Sequence, residues 1–108
     1  MANLRQGIQT LSATVKLTSS GEVVAAVSGQ YIYITDLIIS AGTAGTVKVV
    51  SKTGTPTTLV EELNLAANGN LVSNYVTPLK GLKGENIGVV IGTSNPVTVQ
   101  ISYYLAAH

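Results

Sequence analysis

Eleven of the 108 residues carry a full charge, six Lys or Arg and five Asp or Glu, for a net charge of +1. That is 10% of the chain, where soluble domains average roughly 25%. Hydrophobic residues make up 45% and the mean hydropathy is +0.38, which excludes a disordered chain, since disorder needs low hydrophobicity or high net charge.

Residues 1–8 have no strand character and read as an N-terminal arm, followed by a single domain over 9–108. At this length a chain buries about 65% of its unfolded surface, enough for one core. From there on, β-branched residues recur with period two, in runs of five to nine broken by turn dipeptides, the mark of an all-β sandwich or barrel. Ala13, Val15 and Leu17 alternate with Thr14, Lys16 and Thr18 before Ser19-Ser20-Gly21. Glu22 to Val27 forms the second strand, and Tyr31 to Ser40 the longest and most apolar one. Thr46 to Lys52 and Thr58 to Leu65 follow, the latter ended by Asn68-Gly69, a pair that readily takes positive φ. Leu71 to Thr77 leads into a loop from Pro78 to Glu85, and Ile87 to Ile91 and Val97 to Leu105 close the series. Eight antiparallel strands with negligible helix, and several turns longer than two residues, fit a jelly roll better than a barrel of hairpins, with another Greek-key sandwich as the alternative.

The charge-free stretch from Asn86 to Ala107 is 22 residues long, but Thr93-Ser94-Asn95-Pro96 interrupts it and its flanks alternate. It reads as two strands and a turn, not as a membrane helix, and no membrane partner is expected. The start of the chain lacks the apolar core of a signal peptide, so secretion by that route is not expected. The basic residues Arg5, Lys16, Lys48, Lys52, Lys80 and Lys83 are scattered among acids, which removes the main driving force for nucleic-acid binding. No cysteine is present, and with it go disulfides, thiolate nucleophiles and thiolate metal sites. The only histidine is His108, the last residue, where fraying is the rule. Glu61-Glu62 is the only adjacent acidic pair, and neighbours on a regular strand point to opposite faces, so the two cannot jointly hold a metal ion or flank a glycosidic bond. Gly42, Gly45 and Gly54 belong to turns without a following helix, and Gly81-Leu82-Lys83-Gly84 lacks the ending of a phosphate loop. The expectation is a protein without catalytic residues, metal or cofactor.

Two acids sit oddly. Strict alternation puts Asp36 on one face with Ile32, Ile34 and Ile38, and Glu61 on one parity with Leu59 and Leu63. An ionised carboxylate on an apolar face is costly unless it is paired or hydrogen-bonded. Either each lies at a sheet rim or bulge, accepting turn N–H groups, or each is buried at a subunit contact and meets a Lys or Arg of another chain. Several strands also lack a plainly polar second face. Both parities of Tyr31 to Ser40 are largely apolar, Gly88 and Val90 oppose Ile87, Val89 and Ile91, and Tyr103-Tyr104 puts an aromatic on each side. Strands covered on both faces read as continuous apolar runs. A sandwich of this size has one internal layer, so the remaining cover is expected from copies of the chain, with Asp36, Glu61, Tyr103 and Tyr104 as candidate contact residues.

Tyr31-Ile32-Tyr33-Ile34-Thr35-Asp36-Leu37-Ile38-Ile39-Ser40, followed by a Gly/Thr turn and Thr46-Val47-Lys48-Val49, resembles a pattern of small jelly-roll proteins of tailed bacteriophages. So does Pro78-Leu79-Lys80-Gly81-Leu82-Lys83-Gly84-Glu85-Asn86-Ile87 leading to the run from Asn95 to Tyr104. Together they span residues 31–104, and the chain they resemble is a capsid decoration, or cement, protein. The resemblance implies a homotrimer on the outer surface of the virion's icosahedral capsid, holding neighbouring units of the major capsid protein together, with no catalytic residues to carry over. It gives the arm a role too: Asn3, Leu4, Arg5 and Gln6 would add a strand to the capsid protein, gaining affinity from main-chain hydrogen bonds. The competing reading is a tail-fibre or receptor-binding module, because jelly rolls also carry lectin sites. Its platforms would be Tyr75 and Tyr103 or Tyr104. Trp is absent, and each tyrosine is better explained as core or interface, so carbohydrate is the less favoured partner.

Overall fold

The computed structural model describes residues 10–42, 44–51, 54, 56–92 and 96–108, so the arm and its Asn3, Leu4, Arg5 and Gln6 lie outside the described residues. Eight strands follow in order: β1 (Leu11–Leu17), β2 (Gly21–Val24), β3 (Tyr31–Ala41), β4 (Gly45–Ser51), β5 (Thr57–Leu65), β6 (Asn70–Lys80), β7 (Ile87–Ile91) and β8 (Val97–Ala106). They form two four-stranded antiparallel sheets, β1-β8-β3-β6 and β2-β7-β4-β5. That order, in which chain-distant strands become neighbours and each sheet takes strands from both halves of the sequence, is a jelly roll. No helix among the described residues is long and apolar enough to cross a membrane.

The core lies between the sheets. Ile32, Ile34, Leu37 and Ile39 of β3, Val47 and Val49 of β4, Ile87 and Val89 of β7, and Val97, Val99 and Ile101 of β8 are buried there. Each full burial of such a side chain contributes about 1.5–3 kcal/mol. Ala13, Val15 and Leu17 of β1 and Leu71, Tyr75 and Leu79 of β6 close the flanks. β-branched residues at every second position suit these pleated, half-buried surfaces.

Strict alternation fails inside β3. Ile34 pairs with Tyr103 and Asp36 with Ser102, so Thr35 is an extra residue, and the buried set runs Ile32, Ile34, then Leu37, Ile39 and Ala41. The bulge changes the parity of the strand, as an inserted residue must. Leu37 and Ile39 therefore join the core that a regular strand would have denied them. Asp36 is released from the face of Ile32 and Ile34. On β6 the irregularity is larger: the single Thr35 stands between pairs that enclose Tyr75, Val76, Thr77 and Pro78. Strand β6 runs on to Lys80, through the stretch where the sequence had placed a loop, and as a sheet edge it tolerates Pro78, which cannot donate to a ladder. Strand β2 is shorter than its sequence promised, ending at Val24 with Val27 exposed.

Strand β5 is irregular as well. Val47 pairs with Leu63 and Val49 with Val60, so Glu61 and Glu62 stand together opposite Lys48. On the outward side of the second sheet, Val50 is fully buried and its partner Gly88 is buried too. This part of the second face is buried within the single chain, which removes part of the sequence argument for cover by other copies. Beside it a cavity of about 250 Å³ is lined by Ser20, Gly21, Gly54, Val89 and Val90.

Candidate functional site

The outer face of the β1-β8-β3-β6 sheet concentrates the chain's unusual surface residues. Pairing registers arrange it in rows across the strands. Lys16, Thr98, Ser40 and Asn70 form one row, and Thr14, Gln100, Ile38 and Val72 the next. Ser12, Ser102, Asp36 and Asn74 follow, and then Tyr104, Tyr33 and Lys80. Val72 is 66% exposed and Val76, on the β6 bulge, fully so. Cross-strand neighbours Ile38 and Val72 make a small apolar island among short polar side chains.

At one end of this face three tyrosines and a lysine pack together. Tyr33 and Tyr104 stack with ring centroids 4.9 Å apart and planes 7° from parallel. Tyr31 lies tilted beside Tyr33 at 6.4 Å. The Lys80 ammonium sits 4.2 Å from the centroid of Tyr31 and 5.8 Å from that of Tyr33, a cation–π placement worth about 0.5–1 kcal/mol at an exposed site. The Tyr33 hydroxyl donates to the His108 backbone oxygen at 2.7 Å. The two stacked rings cover one face of each other, and the ammonium stands over Tyr31.

Asp36 lies at the centre of the same face, half-buried at the β3 bulge. Thr35 Oγ1 lies 3.1 Å from Asp36 Oδ2 and 3.1 Å from the Ser102 carbonyl oxygen. No Lys or Arg among the described residues pairs with Asp36. The four candidate contact residues therefore separate. Asp36 and Tyr104 share this outer face, Tyr103 packs against the core, and Glu61 lies on β5, the edge of the other sheet. Tyr75, the other candidate platform, also packs against the core. Tyr31 and Tyr33 were missed as surface aromatics, although their i, i+2 spacing already placed both on one face. Among the described residues no group of three or more His, Cys, Asp or Glu could hold a metal ion, and no buried side-chain nitrogen or oxygen lacks a partner.

No protein-family model matches the chain, and no curated protein matches it. Solved structures do. The nucleoplasmin-like N-terminal domain of Drosophila FKBP39 superposes over 98% of this chain and 95% of that one, with a TM-score of 0.52 and 7% identity. The likeness is one of fold. The virus-like particle of the extra small virus of the giant freshwater prawn Macrobrachium rosenbergii covers 92% of this chain and 79% of that one, at 12% identity and a TM-score of 0.32, too low to support an argument.

Proposed function

We propose that the chain is a structural protein of a bacteriophage virion, a decoration protein that binds the outside of the icosahedral capsid as a homotrimer and cements it. The observation that carries this reading is the jelly roll itself, with strand order β1-β8-β3-β6 and β2-β7-β4-β5, built from the segments that resemble phage decoration proteins. The polar, charge-poor outer sheet face adds support, because such a surface suits packing against other subunits better than steering a charged ligand. Mechanically, a protein that binds the assembled shell and not its dissociated subunits stabilises the shell by mass action. Repetition over many sites adds avidity, so that modest individual contacts suffice.

The test is binding to undecorated heads. The purified chain should co-sediment with them and give density on the outer surface by cryo-electron microscopy. A variant lacking residues 2–7 should lose most of its occupancy if the arm adds a strand to the major capsid protein. Full occupancy without those residues sinks the arm's role, and no binding to heads by the intact chain sinks the reading as a whole. The second reading, a carbohydrate-binding module of a tail fibre, is favoured by the Tyr31, Tyr33 and Tyr104 cluster with Lys80. Glycan-array binding that Tyr104→Ala abolishes would select it over decoration.

A further inference from the structure

We infer that the outer face of the β1-β8-β3-β6 sheet is where a second copy of this chain packs, and that Lys80 of one copy is the ionic partner of Asp36 in the next. The inference rests on the homo-oligomer reading above and assigns the surface and the charge pair that make it.

Charge carries the first part of the argument. Asp36 is half-buried and without a basic partner among the described residues, with the Thr35 hydroxyl 3.1 Å from its carboxylate. Lys80 stands on the same face one row away and is held over tyrosine rings, not by an acid. The two do not pair with each other within the chain but lie one row apart in one patch, so a packed copy can bring opposite charges together. Apolar exposure carries the second part. Ile38, Val72 and Val76 are three of the five large apolar side chains exposed among the described residues, and all three belong to β3 and β6 of this sheet. Size carries the third. Four strands spaced about 4.8 Å apart and up to about 37 Å long make a face on the order of 700 Å², so that the face as a whole, shared between the two neighbours in a ring, approaches the roughly 800 Å² that a subunit buries in a specific interface.

The face also suits closed symmetry. Around a three-fold axis, the β6 edge of one copy, with Val72 and Lys80, lies on the β3–β8 centre of the next, with Ile38 and Asp36. Such a heterologous contact repeats until the ring closes and leaves no copy with an open edge. On the other sheet the outward Val50 and Gly88 are already buried within the chain.

Mass measurement by light scattering and native mass spectrometry tests the proposal on the full chain. The wild type should run at a multiple of the 11.1 kDa chain. Asp36→Lys, Lys80→Glu and Val72→Lys should each raise the dissociation concentration about tenfold or more, as loss of a desolvated contact does. Their far-ultraviolet spectra should stay unchanged, which separates dissociation from unfolding. The charge-swapped double variant, Asp36→Lys with Lys80→Glu, should reassociate. A wild-type oligomer indifferent to all three substitutions overturns the assignment of this face while leaving the homo-oligomer reading intact. A double variant that stays dissociated overturns the charge pair. A monomeric wild type sinks both. A monomeric wild type that binds heads and loses them on Val72→Lys gives the face to the capsid, against the second copy.

Discussion

Ser51 shows how one polar side chain can close a jelly roll. It is the only fully buried polar residue among those described, at the end of β4 where the chain between β6 and β7 crosses. Its Oγ accepts from the Leu82 N–H at 2.9 Å and donates to the Asn86 carbonyl at 3.2 Å. The loop is further held by Gly81 N–H on the Ile32 carbonyl and Gly84 N–H on the Gln30 carbonyl. Ser51→Ala removes the acceptor of the Leu82 N–H and the donor to the Asn86 carbonyl, and should cost about 1–3 kcal/mol, seen as a lower urea midpoint with unchanged m-value. A Cβ on Gly81 would come within 3.2 Å of the same oxygen and 2.9 Å of Ile87 Cδ1. Gly81→Ala is therefore destabilising through a shared neighbour, and the two substitutions combined should cost less than their sum. Strict additivity in that cycle would mean that Ser51 and Gly81 do not act on one another.

Eight strands were legible because each is a short β-branched run between turn residues, and the inferred sandwich followed from their spacing. What strand patterning left out was the bulge in β3. Both parities of Tyr31 to Ser40 are apolar, so alternation could not say which set changes sides or where, and it set Asp36 beside Ile32 and Ile34. The pairing with β8 supplies that information, and no residue within the run does. Likewise Pro78 read locally as a turn, because its tolerance in β6 depends on that strand lying at a sheet edge. The bulge has a consequence that deletion can measure. Removing Thr35 alone leaves Leu37 and Ile39 on the inner face, in a strand that now alternates regularly. Cooperative unfolding should survive, at the cost of the Thr35 hydrogen bonds and some sheet twist. Removing Thr35 and Asp36 together turns Leu37, Ile39 and Ala41 outward, and the core loses half of β3. That variant should show no cooperative transition. Equal stability of the two deletions would contradict the role given to the bulge.

Across the whole molecule, the low charge now has a place. Little of the candidate surface was legible, since Asp36 and Tyr104 become neighbours of Lys80 and Tyr33 only through pairing of β3 with β6 and β8, distant in the chain. Once assembled, that face holds few charges among Ser, Thr, Asn and Gln, with Ile38 and Val72 between them. An assembly held by such contacts should respond weakly to salt. Screening shortens the Debye length from about 8 Å at 0.15 M to about 3 Å at 1 M, which weakens exposed ion pairs but acts much less on a buried one. Apolar burial is not screened by added salt, and excluded salts such as sulfate strengthen it. The dissociation concentration of the oligomer should therefore change by less than about twofold between those concentrations of sodium chloride, and ammonium sulfate should hold it together at least as well. Dissociation by moderate sodium chloride alone would mean that exposed ion pairs carry the contact between copies, which the distribution of charge on this face does not support.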